Sequence, residues 1–384
     1  MASRQAWRKA WWQVHKWIGL ALMIFLIPLG LSGIILAWDD AIDHAINPQR
    51  YAVHGAATLQ PSAYAAAASQ ALQPGERLSQ IRYPRDDGPV VVTAVGAPGG
   101  GKHDGAKHAS GGTGRRGPPQ RATIWLDPQS GRVLDVMRGD TGLVRFAHNF
   151  HGMLFIPGGP GRALVGLLGV AMFLMALGGV WLWWPPVGQW VKGLRWQRGD
   201  RRLDTNLHHR VGFWIALPLA AQAFTGVWMA WPQMMSTIGL GAPRVGPMER
   251  ARMVPAADTH LTVDQALAAA QAAAPGKPVS VAWPVGDDGP WRISLRGKGG
   301  DRLVDDATGT ATPAPPRGDG GLAMAMRHYH DGTTLGPIWR VLMVFWGLAP
   351  TVLGVTGIMM WLRGRRWRAD LAKRRDEREP VAAS

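Results

Sequence analysis

Residues 207–232 read LHHRVGFWIALPLAAQAFTGVWMAWP: two adjacent histidines, then an apolar run with no charged side chain from Val211 to Trp231. A helix rises 1.5 Å per residue, so a run of this length crosses a hydrocarbon core of about 30 Å. An ionisable side chain at the end of such a span is either an interface anchor or part of a site. The stretch therefore predicts a membrane-spanning helix with histidines at its N-terminal end.

A second stretch, near the start of the chain, matches the first in register. Residues 15–38 read HKWIGLALMIFLIPLGLSGIILAW. Alignment of the two stretches places His15 on His208, and it places Ser32-Gly33 on Thr225-Gly226. A headgroup anchor would not require this match. We therefore interpret the chain as one unit used twice, with histidine as part of the unit.

The positive charge of the chain is concentrated beside the predicted spans. The formal net charge is +16, with basic clusters before residue 17, within residues 185–207 and after residue 362. A basic total can indicate nucleic-acid binding, but this placement follows the positive-inside rule of membrane proteins. We expect a lipid membrane and no nucleic acid as partner, with both termini and the 185–207 loop in the cytoplasm.

The chain contains no cysteine. Disulfides, cysteine-bound iron–sulfur clusters, thiolate haem ligation and covalent haem attachment are therefore excluded. Any haem must be held non-covalently by other side chains.

The predicted fold class is an integral membrane α-helical protein with four transmembrane helices, arranged as a duplicated unit of span, periplasmic α+β domain and span. The segments are a cytoplasmic N-terminus (1–16), a first span (17–38), a periplasmic domain (39–147) with a Gly- and His-rich insert (96–120), a periplasmic histidine segment (148–161), a second span (162–184), a cytoplasmic loop (185–207), a third span (208–231), a second periplasmic domain (232–334), a fourth span (335–362) and a basic cytoplasmic tail (363–384).

Both periplasmic segments contain the same order of elements. Each has an alanine-rich helix, two strands, and a strand that closes on the turn pattern D-x-x-[ST]-G, at residues 127–131 and 305–309. The insert carries His103 and His108, but low complexity predicts a solvated loop there, since nothing fixes a metal geometry.

Histidine occurs near one end of every predicted span. His15, His208 and His209 lie at the cytoplasmic end, and His148, His151, His328 and His330 lie at the periplasmic end. Two neutral histidines per iron suit a six-coordinate haem and electron transfer. A divalent-ion pathway or a proton pump is expected to have carboxylates in the spans, and these spans have none. The pattern therefore favours electron transfer through two sites.

The chain resembles a known family, the iron-regulated inner-membrane proteins with PepSY-associated transmembrane regions. It is most similar to siderophore-iron reductases of the FoxB type. The motifs that carry the resemblance are HKWIG (15–19), WLDPQSG (125–131), GRALVGL (161–167), LHHRVGFW (207–214), VDDATG (304–309) and HDG (330–332). The resemblance covers nearly the whole chain. The two strand-turn endings, with their preceding helices, resemble two PepSY domains.

The resemblance implies two haems b in a protein of the bacterial inner membrane. It implies His15 and His208 as one ligand pair, with His209 as an alternate. It also implies His151, or His148, together with His330, or His328, as the other pair. The implied activity is that of a ferric-siderophore reductase, an oxidoreductase acting on metal ions, whose partner is a periplasmic ferric siderophore.

No G-x-G-x-x-G follows a strand in this chain, so we expect the reductant to come from outside it. A quinol and a cytoplasmic reductase are the two candidate donors. Arg145, Arg162, Arg327 and Arg340 lie near the periplasmic histidines and can pair with propionates, with an anionic chelate or with the interface. Two alternatives stay open: a non-enzymatic PepSY membrane protein that binds or regulates a periplasmic partner, and a transporter of siderophore or iron.

Overall fold

The computed structural model of the chain describes residues 2–85, 87–96, 121–139, 141–157, 159–184, 202–239, 254–286, 289–297, 300–315, 321–334 and 336–376. They form two compact units. The first contains Met1–Asp39, Val144–Pro243 and Asp319–Ser384, and the second contains Asp40–Leu143 and Arg244–Gly318. Almost all of the predicted insert, with His103 and His108, lies outside the described residues, as does most of the predicted 185–207 loop.

The elements are as follows. The helices are α1 (Ala2–Ala37), α2 (Asp39–Ile46), α3 (Pro61–Ser69), α4 (Leu143–Met153), α5 (Gly159–Trp183), α6 (Leu203–Ala230), α7 (Pro232–Thr237), α8 (Val263–Ala273), α9 (Leu322–His330) and α10 (Pro337–Asp376). The strands are β1 (Glu76–Arg82), β2 (Val90–Gly96), β3 (Arg121–Leu126), β4 (Val133–Arg138), β5 (Pro278–Ala282), β6 (Trp291–Leu295), β7 (Gly300–Val304) and β8 (Ala311–Pro313).

Four of the described helices, α1, α5, α6 and α10, are long and apolar enough to cross a membrane. They correspond to the four predicted spans. The first is longer than predicted, since α1 continues without a break through residues 2–16, and α10 runs past residue 362 to Asp376. In both cases charged, non-breaking residues extend the helix beyond its apolar part.

The four long helices form a ring in which each packs against two neighbours. α1 packs against α5 and α10, and α6 packs against the same two helices. At the α1–α10 crossing, a Cβ added to Gly30 would collide with the carbonyl oxygen of Gly347. Glycine at both positions lets the two backbones approach closely, as small residues do in membrane bundles.

The second unit is built on one open, eight-stranded antiparallel sheet with the order β4-β3-β2-β1-β5-β6-β7-β8. The two segments that the sequence treats as separate domains contribute four strands each. They join where β1 pairs with β5, with Gln80 opposite Ala282 and Arg82 opposite Ser280. This pairing covers two strand edges that would otherwise expose unpaired backbone groups. The short β8 and the helix α2 were not predicted.

The core of the second unit lies between the sheet and the helices α3 and α8. Tyr64, Ile81 and Trp291 are fully buried there. Thr262 caps α8, and its hydroxyl accepts from the Gln265 backbone N–H in a capping box. Asp127 closes its predicted turn by accepting from the backbone N–H of Ser130 at 3.1 Å.

Candidate functional site: four histidines in the helical unit

Each of four histidines in the first unit lies against a glycine on a neighbouring helix. The measure is the distance from the imidazole Cε1 to the place where a Cβ on that glycine would stand. It is 3.0 Å for His330 and Gly226, 3.1 Å for His151 and Gly33, 3.3 Å for His15 and Gly179, and 3.7 Å for His208 and Gly357. The first three are tighter than ordinary side-chain contacts, so glycine makes the room that the ring occupies.

The rings of His151, on α4, and His330, on α9, are neighbours. Their ring centroids are 6.1 Å apart, and the ring planes are inclined by 59°. One metal ion between two opposed imidazoles gives a centroid separation of about 6.2 Å, from two bonds of about 2.0 Å and about 1.1 Å from each nitrogen to its ring centre. The pair is therefore spaced as two imidazoles on one metal ion would be.

The ring of His151 has a defined tautomer. Its Nδ1 lies 3.0 Å from the carbonyl oxygen of Leu29 and 3.1 Å from the hydroxyl of Ser32. The Ser32 hydroxyl donates its hydrogen to the same Leu29 carbonyl, at 2.9 Å. Both oxygens are therefore acceptors toward the ring, so Nδ1 carries the hydrogen and donates it. This leaves the lone pair on Nε2, the nitrogen that can bind a metal.

Threonine fixes the ring of His330 in the same way. The Thr225 hydroxyl donates to the Ala221 and Gln222 carbonyls at 3.1 and 3.0 Å, so it accepts from the His330 Nδ1 at 3.1 Å. The Gln222 amide nitrogen is also 3.2 Å from that Nδ1, and it donates to the His330 carbonyl at 3.1 Å. We assign the Gln222 amide as donor to the His330 carbonyl and the His330 Nδ1 as donor to Thr225, which leaves the His330 Nε2 as the acceptor.

His208 follows the same rule at the other end of the bundle. The Thr356 hydroxyl donates to the Val352 carbonyl at 2.6 Å and lies 2.9 Å from the His208 Nδ1. It therefore accepts from the ring. Ser32, Thr225 and Thr356 are all buried, and each directly precedes the glycine that contacts its histidine.

His15 is the exception among the four. Its Nδ1 is buried and has no hydrogen-bond partner among the described residues. On α5 the position before Gly179 is Gly178, which has no side chain to offer. The indole of Trp11 fills this space instead, since a Cβ on Gly178 would stand 2.5 Å from the Trp11 Nε1.

His15 and His208 both line a cavity of about 960 Å³ between α1, α5, α6 and α10. Its wall is largely apolar and includes four methionines. Six basic side chains also line it, namely Arg8, Lys9, Lys16, Arg202, Arg363 and Arg368, and the described lining residues include no carboxylate. Arg8 donates to the Leu182 carbonyl at 2.8 Å, and Arg363 pairs with the buried Asp204. The cavity accommodates a large apolar molecule with anionic groups at its edge.

Burial, together with the smaller effect of the neighbouring His330, lowers the pKa of His151 to about 4. Burial likewise lowers the pKa of His330 to about 4. Both rings are therefore neutral at pH 7, which is the form that binds a metal ion.

The structure separates these four histidines from the other candidates. His148 is exposed on α4, and His328 is exposed with its Nδ1 2.7 Å from the Thr333 hydroxyl. His209 lines the cavity, with its ring centroid 6.2 Å from that of His208. Among the predicted arginines, Arg162 donates to the Met229 carbonyl at 3.2 Å, and Arg327 pairs with Asp331 at 3.2 Å.

In the sequence, Ser32-Gly33 and Thr225-Gly226 marked only the register of the two halves, and the fourth span contains the same pattern at Thr356-Gly357. Their role as hydrogen-bond acceptors and ring cradles was missed, as was Gly178-Gly179. A hydroxyl residue directly before a glycine within three apolar spans was the available signal.

Comparison with known proteins supplies the family. A family model described as the PepSY-associated TM region matches residues 12–364. No curated protein matches the chain significantly. The family match extends from α1, through the sheet, into α10, and so covers nearly all of the chain. The chain therefore belongs to the PepSY-associated transmembrane family, and it is a multi-pass membrane protein that combines helices with an open sheet.

Proposed function

We propose that this protein is a haem-containing reductase of the bacterial inner membrane that passes electrons to periplasmic ferric siderophores. The observation that carries the proposal is the fixed tautomer of His151, His208 and His330. In each ring a buried oxygen accepts from Nδ1, which leaves the Nε2 lone pair available. Ligating histidines are typically oriented in this way by their other nitrogen.

The residues present fit two haems b. His151 and His330 would hold one, and their ring spacing of 6.1 Å supports this assignment. His15 and His208 would hold the other, in the cavity of about 960 Å³. In each pair the two imidazoles would hold the iron, and the basic side chains at the cavity would pair with the propionates. When bound, haem supplies one-electron transfer between its ferric and ferrous states.

The chain's own groups would orient the ligands and exclude water. The hydroxyls of Ser32, Thr225 and Thr356 hold the rings, and the glycines give them room. The similar arrangement at the two ends, and the four strands from each segment, also support a duplicated unit. On this proposal the sheet unit and the His151–His330 end face the periplasm, as the basic clusters beside the spans predict.

The electron balance needs a donor outside this chain. A membrane quinol that loses two electrons and two protons would reduce two ferric ions to ferrous ions, one electron each. Hard, oxygen-rich siderophores hold ferrous iron less tightly than ferric iron, so reduction releases the metal. A cytoplasmic reductase is the other class of donor.

The first test is the visible spectrum of the detergent-purified protein, oxidised and then reduced with dithionite, with haem quantified per chain. We expect a low-spin b-type spectrum and two haems per chain. The reduced protein, kept anaerobic, is then mixed with a ferric siderophore and a ferrous chelator. Loss of the reduced spectrum and colour from the chelator are expected together. A colourless protein from haem-replete cells would overturn the proposal and favour binding or regulation of a partner.

A further inference from the structure

We propose that the two haem sites differ in reduction potential, with the His15–His208 site the higher, and that the hydroxyls of Ser32, Thr225 and Thr356 together with Gly178 set the difference. This inference rests on the proposed function. It assigns the three hydroxyl residues as positioning residues that also tune the ligands they hold. It assigns Gly178 as the position that removes this control from His15.

The physical cause is the hydrogen bond from Nδ1. When an oxygen accepts from the Nδ1–H of a ligating imidazole, the ring becomes a more basic ligand. A more basic ligand stabilises ferric iron over ferrous iron, so the reduction potential falls. Hydrogen bonding to the ligands is one of the levers by which a protein sets a haem potential.

The two sites differ in the number of these hydrogen bonds. At the His151–His330 site both rings donate from Nδ1, and His151 has both a carbonyl and a hydroxyl within reach. At the other site His208 donates to Thr356, while the His15 Nδ1 has no partner among the described residues. The His15–His208 site therefore has one hydrogen-bonded ring where the other site has two, and it should be the easier site to reduce.

Charge acts in the same direction but separates the sites less. The cavity beside His15 and His208 is lined by six basic side chains and, within the described residues, by no carboxylate. Positive charge favours the reduced form, which carries one positive charge less. Four arginines lie at the other end, however, namely Arg145, Arg162, Arg327 and Arg340. Asp331 pairs with Arg327 there, as Asp204 pairs with Arg363 beside the cavity. The hydrogen bonds are therefore expected to decide the order.

The packing at Gly178 explains why, among the described residues, the His15 Nδ1 has no acceptor. A serine at this position would match Ser32, Thr225 and Thr356, which all precede their contact glycine. Its Cβ would stand 2.5 Å from the indole of Trp11, so the indole and a hydroxyl cannot both occupy this space. The indole therefore occupies the place of a hydroxyl, and the His15 Nδ1 is left without a partner among the described residues.

The test is a potentiometric titration of the haem absorbance in the purified full-length protein. Wild type is expected to titrate as two one-electron components, and a variant with both His15 and His208 changed to Ala should keep only the lower one. Thr225→Val should raise the lower component alone, and Thr356→Val should raise the higher component alone. We expect about a tenfold change in each oxidised-to-reduced ratio, which is about 59 mV for one electron.

Thr351→Val is the matched control. Thr351 lies on the same helix as Thr356, and its buried hydroxyl has no hydrogen-bond partner among the described residues. Its loss should leave both components unchanged. The converse variant combines Trp11→Leu with Gly178→Ser, and relative to Trp11→Leu alone it should lower the higher component.

Several outcomes would overturn the inference while leaving the proposed function intact. They are two components of equal potential, the reverse order in the His15/His208 variant, or threonine variants that shift neither component or shift both equally. A protein without haem would instead overturn the proposed function itself. The two failures are therefore distinguishable in one preparation.

Discussion

At one end of the helical bundle the rings of His151 and His330 are neighbours with centroids 6.1 Å apart, while at the other end His15 and His208 line a cavity of about 960 Å³. Both ends place each imidazole on a glycine of a neighbouring helix. They differ in the hydrogen bonding of Nδ1. At the first end both rings have an acceptor for Nδ1, and at the second end, among the described residues, only His208 has one. The comparison separates two roles: the glycine makes room for the ring, and the hydroxyl orients it.

Removal of both histidines at one end should have the largest effect. A variant with His151→Ala and His330→Ala is expected to lose one of two haems and to keep the other, because the pairs are held by different helices. A variant with His15→Ala and His208→Ala should do the same in reverse. Haem per chain, measured from the reduced pyridine complex, checks both.

The controls for this prediction are the histidines that the structure sets apart. His148→Ala and His328→Ala remove exposed rings and should leave two haems. Loss of both haems from either double variant, or loss of a haem from a control, would contradict the assignment of two independent pairs.

The same two ends show which features of the site could be predicted from the sequence. The register of the two halves placed His15 with His208, because an apolar span with one histidine is a local pattern. The choice of His151 over His148 was not local. Both lie on α4, and they are separated by the contacts that His151 makes with Leu29, Ser32 and Gly33 on α1, which is far away in the sequence. Likewise the unpartnered ring of His15 depends on Gly178, and the pairing of α1 with α5 was not predictable from either segment.

In the sheet, too, local features were predictable from the sequence and long-range pairing was not. Local alternation and turn residues predicted most of the strands, including the turn at Asp127. The pairing of β1 with β5 joins residues about two hundred positions apart, as for Ile81 and Val281. No local pattern specifies such a partner, so the sequence suggested two domains where the structure has one continuous sheet.

Substitution of the glycines that contact the histidine rings should have the next largest effect. Gly226→Ala would put a Cβ 3.0 Å from the His330 ring, and Gly33→Ala would put one 3.1 Å from the His151 ring. Overpacking of this kind costs about 1–3 kcal/mol. We expect haem at this site to be held about fivefold or more weakly, as measured by its transfer rate to excess apomyoglobin.

Gly357→Ala is the matched comparison at the other end. There the added Cβ would stand 3.7 Å from the His208 ring, an ordinary contact, so haem transfer should stay near the wild-type rate. If Gly357→Ala and Gly226→Ala release haem equally fast, the fit of the ring on the glycine is not what holds the ligand.

Loosening of the cavity end should have the smallest effect. Arg363 on α10 donates to Asp204 and Thr205 at the start of α6, and Asp204 is buried. Arg363→Ala leaves that carboxylate without its charged partner, which costs about 1–3 kcal/mol because the arginine itself is partly exposed. The unfolding temperature should fall by a few degrees, and on heating the absorbance of the His15–His208 haem should be lost before that of the other.

Arg366→Ala removes an exposed arginine of the same helix and should change neither the unfolding temperature nor the order in which the haems are lost. Asp204→Asn in the Arg363→Ala background should recover part of the loss, since it removes the unpaired charge. Equal melting of the Arg363 and Arg366 variants would mean that the ion pair does not stabilise this end.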